Sequence, residues 1–322
     1  MYAVPQAVPE EEKKVDPSPL PSTDSRTRLI TRPTIPGPDP DTKPPKFKVP
    51  EGAADCHFHI FGPETDYPYT EPRRYTPLQV LENDYRKMAD VLGLEQGVVV
   101  QASPYGSDNA RVLEAIRILG PGYVGVGVVD ADASDERLDE LSRLGIRGTR
   151  INSASGGRSG IERMGELAPK IKDFGWHMQF HIHAGQLPEY EEKIRKLPVD
   201  VVFDHMGLFP ADMPITHPDF QMLLRLLERG DVWVKLSGAE RISRSGAPYR
   251  DAIAVARALI DAAPERVVWG TDWPHTNVKP TIPNDGDLMD LLAEFAPDEQ
   301  VRRKILVENP CALYKFGEGD AP

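Results

Sequence analysis

The chain has 322 residues, 40% of them hydrophobic, and a formal net charge of −12 at pH 7. A surface with this excess of carboxylates repels phosphate backbones, so we expect no nucleic-acid partner. We expect no secretion signal, because the first residues lack a basic stretch followed by an apolar one, and no apolar run is near the ~20 residues of a membrane-spanning helix. The two distant cysteines favour a reducing cytoplasm over a disulfide framework.

Residues 1–50 differ from the rest of the chain in composition. They contain twelve of the 32 prolines, eight Lys and Arg residues and seven Asp and Glu residues. Such a segment buries too little apolar surface to offset the entropy of ordering it, so we expect a polyproline-like or disordered arm. The alternative is an arm that lies on the folded domain or on a neighbouring subunit, with Phe47 and Val49 as anchors.

In residues 51–322, short runs rich in Val and Ile alternate with amphipathic helical stretches. The candidate strands lie within residues 53–62, 96–103, 123–130, 146–153, 176–184, 201–207, 232–238 and 267–274. The candidate helices are residues 78–92, 110–119, 135–144, 161–174, 190–197, 220–228 and 251–262, and a final helical region covers residues 287–314.

Eight strands, each followed by a helix, predict an α/β fold of the (β/α)8 TIM-barrel type. An open doubly wound sheet is the alternative architecture, but eight regular units favour closure of the sheet. No glycine-rich loop follows the first strand, which excludes the usual dinucleotide-binding and P-loop motifs. We therefore expect one barrel domain, residues 51–322, preceded by an arm, residues 1–50.

Polar residues concentrate at the carboxyl ends of the predicted strands, where barrel enzymes place their active sites. His57 and His59 are two residues apart on the first strand, and side chains two apart on a strand share a face. The same spacing relates two further pairs, Arg150 with Asn152 and His181 with His183. The other strands end in Gln101 and Ser103, Asp204 and His205, Lys235 and Ser237, and Thr271, Asp272 and His275.

Four segments, DCHFHIFGP, VVFDHMG, VWVKLSGAER and VVWGTDWPHTN, occur in this order between residues 55 and 277. On these motifs the chain resembles the amidohydrolase superfamily, in the amidohydrolase-2 branch that contains 2-pyrone-4,6-dicarboxylate lactonase and 4-sulfomuconolactone hydrolase. The likeness extends from about residue 55 to residue 316. It implies a TIM-barrel hydrolase that opens lactones in the degradation of aromatic compounds.

The resemblance also implies roles for particular residues. Asp272 would be the general base that activates water, and His57, His59 and His205 would surround and polarise the scissile carbonyl. The resemblance implies substrate contacts at Arg150, Arg241, Tyr75 and Ser103, and His275, at the end of the eighth predicted strand, is a further candidate to line the pocket. Leu208 stands where the pyrone-dicarboxylate enzymes have an arginine, so Arg158 is the candidate replacement and a lactone with a different charge pattern is expected.

Two arrangements fit the residues of this site. In one, His57, His59, His183 and Asp272 bind one Zn²⁺ or Mn²⁺, with His181 as the alternative to His183. In the other, the enzyme is metal-independent and the histidines donate hydrogen bonds to the carbonyl. A two-metal site is not expected, because the fourth and fifth strands offer no lysine that could be carbamylated into a bridge.

These residues together predict a hydrolase that opens a small anionic lactone of pyrone or muconolactone type. The alternatives are a metal-dependent decarboxylase with a similar set of His and Asp residues, and a non-catalytic barrel that binds an anion. A homo-oligomer is compatible with each of them. We expect Asp204 to brace a helix or loop, Lys235 to pair with an acidic residue inside the barrel, and Cys56 to be a small buried hydrophobe.

Overall fold

The computed structural model of the chain describes residues 34–71, 73–152, 160–276 and 281–317. In these residues, eight parallel strands form one sheet in sequence order. They are β1 (Ala54–Phe58), β2 (Gln96–Val100), β3 (Tyr123–Gly127), β4 (Ile146–Asn152), β5 (His177–His181), β6 (Val201–Phe203), β7 (Val232–Leu236) and β8 (Val267–Trp269). Each of the predicted strands is present, and neighbours in the chain are neighbours in the sheet.

The first strand and the end of the eighth close this sheet into a nearly complete barrel. The Phe58 backbone forms a parallel bridge with Trp273. The His59 amide donates a hydrogen bond to the Trp273 carbonyl, and the Asp272 amide donates one to the His57 carbonyl, both at 2.8 Å. The predicted TIM barrel is therefore confirmed, and its closing seam runs through three of the candidate catalytic residues.

Helices separate the strands. They are α1 (Glu82–Leu92), α2 (Ala110–Leu119), α3 (Asp135–Arg143), α4 (Met164–Lys172), α5 (Leu187–Ile194), α6 (Pro218–Leu227), α7 (Ala239–Ile242), α8 (Ile253–Ala262), α9 (Asp285–Phe295), α10 (Glu299–Arg303) and α11 (Asn309–Tyr314). None of the helices in the described ranges is long and apolar enough to cross a membrane.

The main departure from the predicted helices lies in the final region, which consists of α9, α10, a π-turn at Lys304–Glu308 and α11. Pro297 has no amide proton and separates α9 from α10. The Asp298 carboxylate then accepts a hydrogen bond from the Gln300 amide at 2.7 Å, which caps the start of α10. The short helix α7 was not predicted either, and it carries Arg241.

The strands alternate their side chains between two apolar layers. Along β2, Val98 and Val100 belong to one buried cluster and Val99 to the larger second cluster, which packs against the helices. Cys56 is completely buried in the smaller cluster and acts as an apolar residue, as predicted.

The described residues of the predicted arm lie against α9, whereas residues 1–33 lie outside the described part of the chain. The Lys43 amide donates to Asn284 Oδ1 at 3.0 Å, and the Lys46 amide donates to Asp290 Oδ1 at 2.7 Å. The ring of Phe47 packs on the core, with the Arg302 guanidinium 5.0 Å from its centre.

Replacing Gly286 by alanine is expected to lower the free energy of unfolding by about 1–3 kcal/mol, the usual cost of an overpacked site. A Cβ at Gly286, in the first turn of α9, would overlap the backbone carbonyl oxygen of Lys43. Gly165 is the matched control, because it occupies the same position in α4 and a Cβ there meets no atom within 4 Å. Denaturant unfolding of both variants tests this contact, and equal effects at the two sites would contradict it.

Candidate active site

A small pocket opens where the strands end. Among the described residues, ten side chains line it: His59, Tyr75, Ser103, Arg150, Asn152, His181, His205, Arg241, Asp272 and Thr276. These side chains lie at strand ends or in the segments that follow them, as the position of active sites in this fold requires. Every residue of this lining is polar.

The imidazoles of His57, His59 and His205 converge on one carboxylate oxygen. Their Nε2 atoms lie 3.7, 3.8 and 3.8 Å from Asp272 Oδ1. His57 and His59 come from the end of β1, His205 follows β6, and Asp272 follows β8. Thus four residues from three separate segments meet at one point.

Backbone geometry and a buried carboxylate hold this convergence. Asp272 and His205 have φ angles of 65° and 52°, in the left-handed region that side chains rarely adopt. Asp55 Oδ1 accepts hydrogen bonds from the amides of His57 and Thr271, each at 3.0 Å, and so ties β1 to the segment after β8. Burial raises the pKa of Asp55 to about 7, although these hydrogen bonds oppose the shift.

The tautomer of His59 follows from its hydrogen bond. Its Nδ1 lies 2.8 Å from the carbonyl oxygen of Val100, which can only accept, so Nδ1 carries the proton and Nε2 presents a lone pair. Burial, with the nearby positive charge of Arg150, lowers the pKa of His59 to about 3, so the ring is neutral at pH 7.

This donor set fits a divalent cation. His57 Nε2 and Asp272 Oδ1 are both buried, and neither has a hydrogen-bond partner in the part of the chain that the structure describes. One ligand atom from each of His57, His59 and Asp272 lies within 4.8 Å of the other two. Imidazole nitrogen and carboxylate oxygen are ordinary ligands of Zn²⁺ and Mn²⁺, so these three residues could hold one such ion.

Of the two candidate histidines near the end of β5, the structure places His181 at the pocket, whereas His183 is exposed. The prediction favoured His183 because it lies nearer the carboxyl end of the predicted strand. β5 ends at His181, and the chain turns into a 3₁₀ segment at Ala184–Gln186. His181 Nδ1 is hydrogen-bonded to Asn152 Oδ1 at 3.1 Å.

Arg241 lines the pocket, but its guanidinium lies on Asp272. Its Nε and Nη2 atoms both contact Asp272 Oδ2, and Nη2 also donates to the Thr276 carbonyl at 2.8 Å. Burial raises the pKa of Asp272 to about 6, and the positive charge of Arg241 limits that rise. Arg241 therefore holds a carboxylate of the protein rather than facing the pocket as a free cation.

Arg150 also has an acidic partner inside the barrel. Its Nε and Nη2 atoms lie 3.1 and 3.0 Å from Asp204 Oδ2. Lys235 Nζ lies 3.6 Å from Asp204 Oδ1, which confirms the predicted pairing of Lys235 with a buried acid. The expectation that Asp204 braces a helix or loop was wrong, because its carboxylate faces His57, Arg150 and Lys235.

A group of hydroxyls forms another part of the lining. Burial raises the pKa of Tyr75, and the nearby side chains of Thr276 and Ser103 oppose this shift. Tyr75 and Ser103 are both predicted substrate contacts, and the structure brings them together at the pocket. Arg158, a third predicted contact, lies outside the described residues.

His275 was predicted as a substrate contact, but it does not line the pocket. It is completely buried, with Nε2 3.0 Å from Asp285 Oδ1 and Nδ1 3.9 Å from Glu240 Oε1. Its amide donates to the Asp272 carbonyl at 2.8 Å. His275 therefore supports the segment that carries Asp272. Burial alone would lower the pKa of His275, but Asp285 and Glu240 raise it to about 10.

Replacing His275 by glutamine is expected to remove a pH-dependent part of the stability. The folded-state pKa lies above the ordinary value of 6.5, so this contribution is complete below pH 6.5 and is lost as the pH rises through 10. The stability gap between wild type and H275Q should therefore shrink by a few kcal/mol over this range, at about 1.4 kcal/mol for each tenfold change in proton affinity. Denaturant unfolding at several pH values measures this difference in the free energy of unfolding. H217Q is the control, because His217 is partly exposed. A gap independent of pH contradicts the assignment.

Comparison with known proteins shows the family to which this chain belongs. Residues 54–316 match the model of the amidohydrolase family, Amidohydro_2, which covers the whole barrel. This chain belongs to the amidohydrolase family. The predicted resemblance is thereby confirmed, and the chain is an enzyme of this family.

Two curated relatives cover most of this amidohydrolase. The 4-sulfomuconolactone hydrolase of Hydrogenophaga intermedia is 37% identical over 284 residues, which cover 86% of this chain and 93% of the relative. The 2-pyrone-4,6-dicarboxylate hydrolase of Comamonas testosteroni is 36% identical over 281 residues, covering 84% and 92%. A crystal structure of an Agrobacterium tumefaciens protein, without ligand, has a TM-score of 0.79 at 30% identity and covers 85% of this chain and 99% of its own.

Three functional contacts of the amidohydrolase site were missed from the sequence. They are Asp204 at His57, Ser237 at His205 Nδ1 (2.9 Å), and Thr276 in the lining. Ser237 and Asp204 stand at strand ends beside recognised motifs, so their position gave a signal. Their partners come from other strands, and no spacing along the chain reveals those pairs.

Proposed function

We propose that this amidohydrolase opens a small anionic lactone by addition of water to its carbonyl. One observation carries the proposal: three imidazoles surround a carboxylate oxygen that Arg241 orients, in a pocket with a fully polar lining. The names of the two curated relatives, both hydrolases of lactone-type acids, support this substrate class.

In this reaction Asp272 is the general base. Its Oδ1 accepts a proton from water while the water oxygen bonds to the lactone carbonyl carbon, a step in which a placed base contributes about 10²–10⁴-fold. The ring C–O bond then breaks, and the departing oxygen takes the proton back from Asp272. The departing oxygen stays attached to the product through the opened ring.

His205 is the imidazole best placed to donate a hydrogen bond to the carbonyl oxygen. The Ser237 hydroxyl lies 2.9 Å from His205 Nδ1 and can donate to it, which leaves the proton on Nε2. A donor aimed at a developing oxyanion contributes roughly 10²–10³ in rate. His59 cannot take this role, because its proton is on Nδ1.

We also propose that His57, His59 and Asp272 hold one Zn²⁺ or Mn²⁺ ion. When bound, the ion would act as a Lewis acid toward the carbonyl and would favour ionisation of water. The lone pairs of the two imidazoles and the free Asp272 Oδ1 support this part of the proposal.

The guanidinium groups favour a carboxylated substrate. Arg150 and Arg241 both line the pocket, although each has a carboxylate partner behind it. Leu208, at the end of the 3₁₀ segment His205–Leu208, supplies no positive charge. A lactone of pyrone or muconolactone type, with a charge pattern unlike that of pyrone dicarboxylate, fits this arrangement.

A pH-indicator screen over pyrone, muconolactone and sugar lactones, with and without Zn²⁺ or Mn²⁺, tests the function. We expect proton release from a carboxylated lactone and a slower reaction with its methyl ester. Carbon dioxide release from a carboxylic acid would instead establish a decarboxylase. Binding without turnover of every compound would establish an anion-binding barrel.

Zinc titration of the purified protein is expected to show one binding site that depends on His59. H59Q should weaken binding by at least 10- to 100-fold, since it removes a nitrogen ligand. H217Q is the control, because His217 is partly exposed at the start of α6. Calorimetry after chelation measures both affinities, and equal affinities in H59Q and wild type would exclude His59 as a ligand.

A further inference from the structure

The position of the proton on His57 determines what its Nε2 can do, and two buried groups compete for its Nδ1. Asp204 Oδ1 lies 3.2 Å from Nδ1, and Lys235 Nζ lies 3.4 Å from it. A carboxylate only accepts, so it would place the proton on Nδ1. An ammonium only donates, so it would leave the proton on Nε2. All three side chains are completely buried.

The surrounding contacts favour Asp204. Lys235 Nζ has a closer acceptor, Gln179 Oε1, at 2.7 Å. Arg150 binds Asp204 Oδ2 through two nitrogens, which leaves Oδ1, without a hydrogen-bond partner among the described residues, 3.2 Å from His57 Nδ1.

The surroundings of His57 Nε2 also favour a proton on Nδ1. This atom is buried, has no hydrogen-bond partner among residues 34–71, 73–152, 160–276 and 281–317, and lies 3.7 Å from Asp272 Oδ1. A proton on Nε2 would face that oxygen at a distance too long for a hydrogen bond. A lone pair there joins the lone pair of His59 Nε2, so both rings present the same kind of ligand atom.

We propose that Asp204 is a positioning residue that accepts the Nδ1 proton of His57 and thereby directs the Nε2 lone pair of His57 toward Asp272. Arg150 acts on His57 through Asp204, whereas Lys235 contacts both Asp204 and His57. The catalytic consequence rests on the proposed function, whereas the location of the proton is a property of the protein without substrate.

Proton–nitrogen correlation NMR of histidine-labelled protein tests this directly, with H57Q used to assign the His57 signals. Wild type should show the proton on Nδ1. In D204N, Arg150 retains the amide oxygen, so the NH₂ group faces His57 and the proton should move to Nε2. Zinc affinity should then fall by about 10- to 100-fold, as for other groups that orient metal-binding histidines.

K235M is the matched control, because it removes the competing donor and leaves the Asp204 contact. It should keep the proton on Nδ1. A proton on Nε2 in wild type overturns the proposal, as does a tautomer that changes in K235M but not in D204N. If D204N does not fold, the spectra of wild type and K235M still show which nitrogen of His57 carries the proton. If wild type shows the Nδ1 proton but opens no lactone, the proposed function fails and this inference stands.

Discussion

Replacing Asp272 by asparagine is expected to lower kcat for lactone opening by about 10²–10⁴-fold, the contribution of a well-placed general base. The asparagine side chain has nearly the same shape, so the pocket keeps its volume. It cannot accept the proton of water, because an amide oxygen is far less basic than a carboxylate. The binding of an unreactive lactone analogue should change much less than kcat does.

The matched control is D139N, at an exposed aspartate of α3 that pairs with Arg143 on the surface. Stopped-flow or indicator assays give kcat for both variants, and calorimetry gives the affinity for the analogue. An unchanged kcat in D272N would remove Asp272 from the mechanism. If the wild-type protein turned over no lactone and D272N bound the analogue as tightly as wild type, the anion-binding barrel would be favoured.

Replacing Arg241 by glutamine is expected to lower kcat/KM at pH 7 by about 10- to 100-fold. The pKa of Asp272 is already raised to about 6 by burial, and Arg241 is the cation that limits the rise. Without this charge the pKa rises further, so the protonated and inactive form of Asp272 becomes dominant at pH 7. The loss should therefore diminish as the pH rises toward 9.

The pH dependence separates two roles for Arg241. As the partner of Asp272, its removal shifts the acid limb of kcat/KM to higher pH, and R241K should restore much of the activity. As a contact for a substrate carboxylate, which the family resemblance implied, its removal would raise KM equally at every pH. The pH profile of R241Q therefore decides between the two.

The barrel could be predicted because each strand and helix has its own local pattern. Eight apolar runs of strand length alternate with amphipathic stretches, and α2 has the predicted bounds of residues 110–119. The final helical region was harder, because its apolar periodicity continues past Pro297. The missing amide of this proline ends the helix, and only the capping residue Asp298 marks the next start.

The pair of histidines on β1 could be predicted because strand alternation fixes their common face. The same rule failed for His183, since it applies only while the chain remains extended and β5 ends at His181. The motif identified Asp272 and His205 but not their left-handed backbone conformation, which strand alternation does not predict.

The charge partners could not be read from the sequence. Arg150 and Asp204 are 54 residues apart, and Arg241 and Asp272 are 31 apart, so only the closed barrel brings them together. His275 was assigned to the pocket because it follows Asp272 closely. Its ring instead binds Asp285, at the start of α9.

The most direct test of the central claim is lactone opening in water labelled with heavy oxygen, followed by mass spectrometry of the product. Attack of an Asp272-activated water on the carbonyl predicts one heavy oxygen in the newly formed carboxylate after a single turnover, and almost no product from D272N. A product without the label, or one that has lost carbon dioxide, would contradict this account.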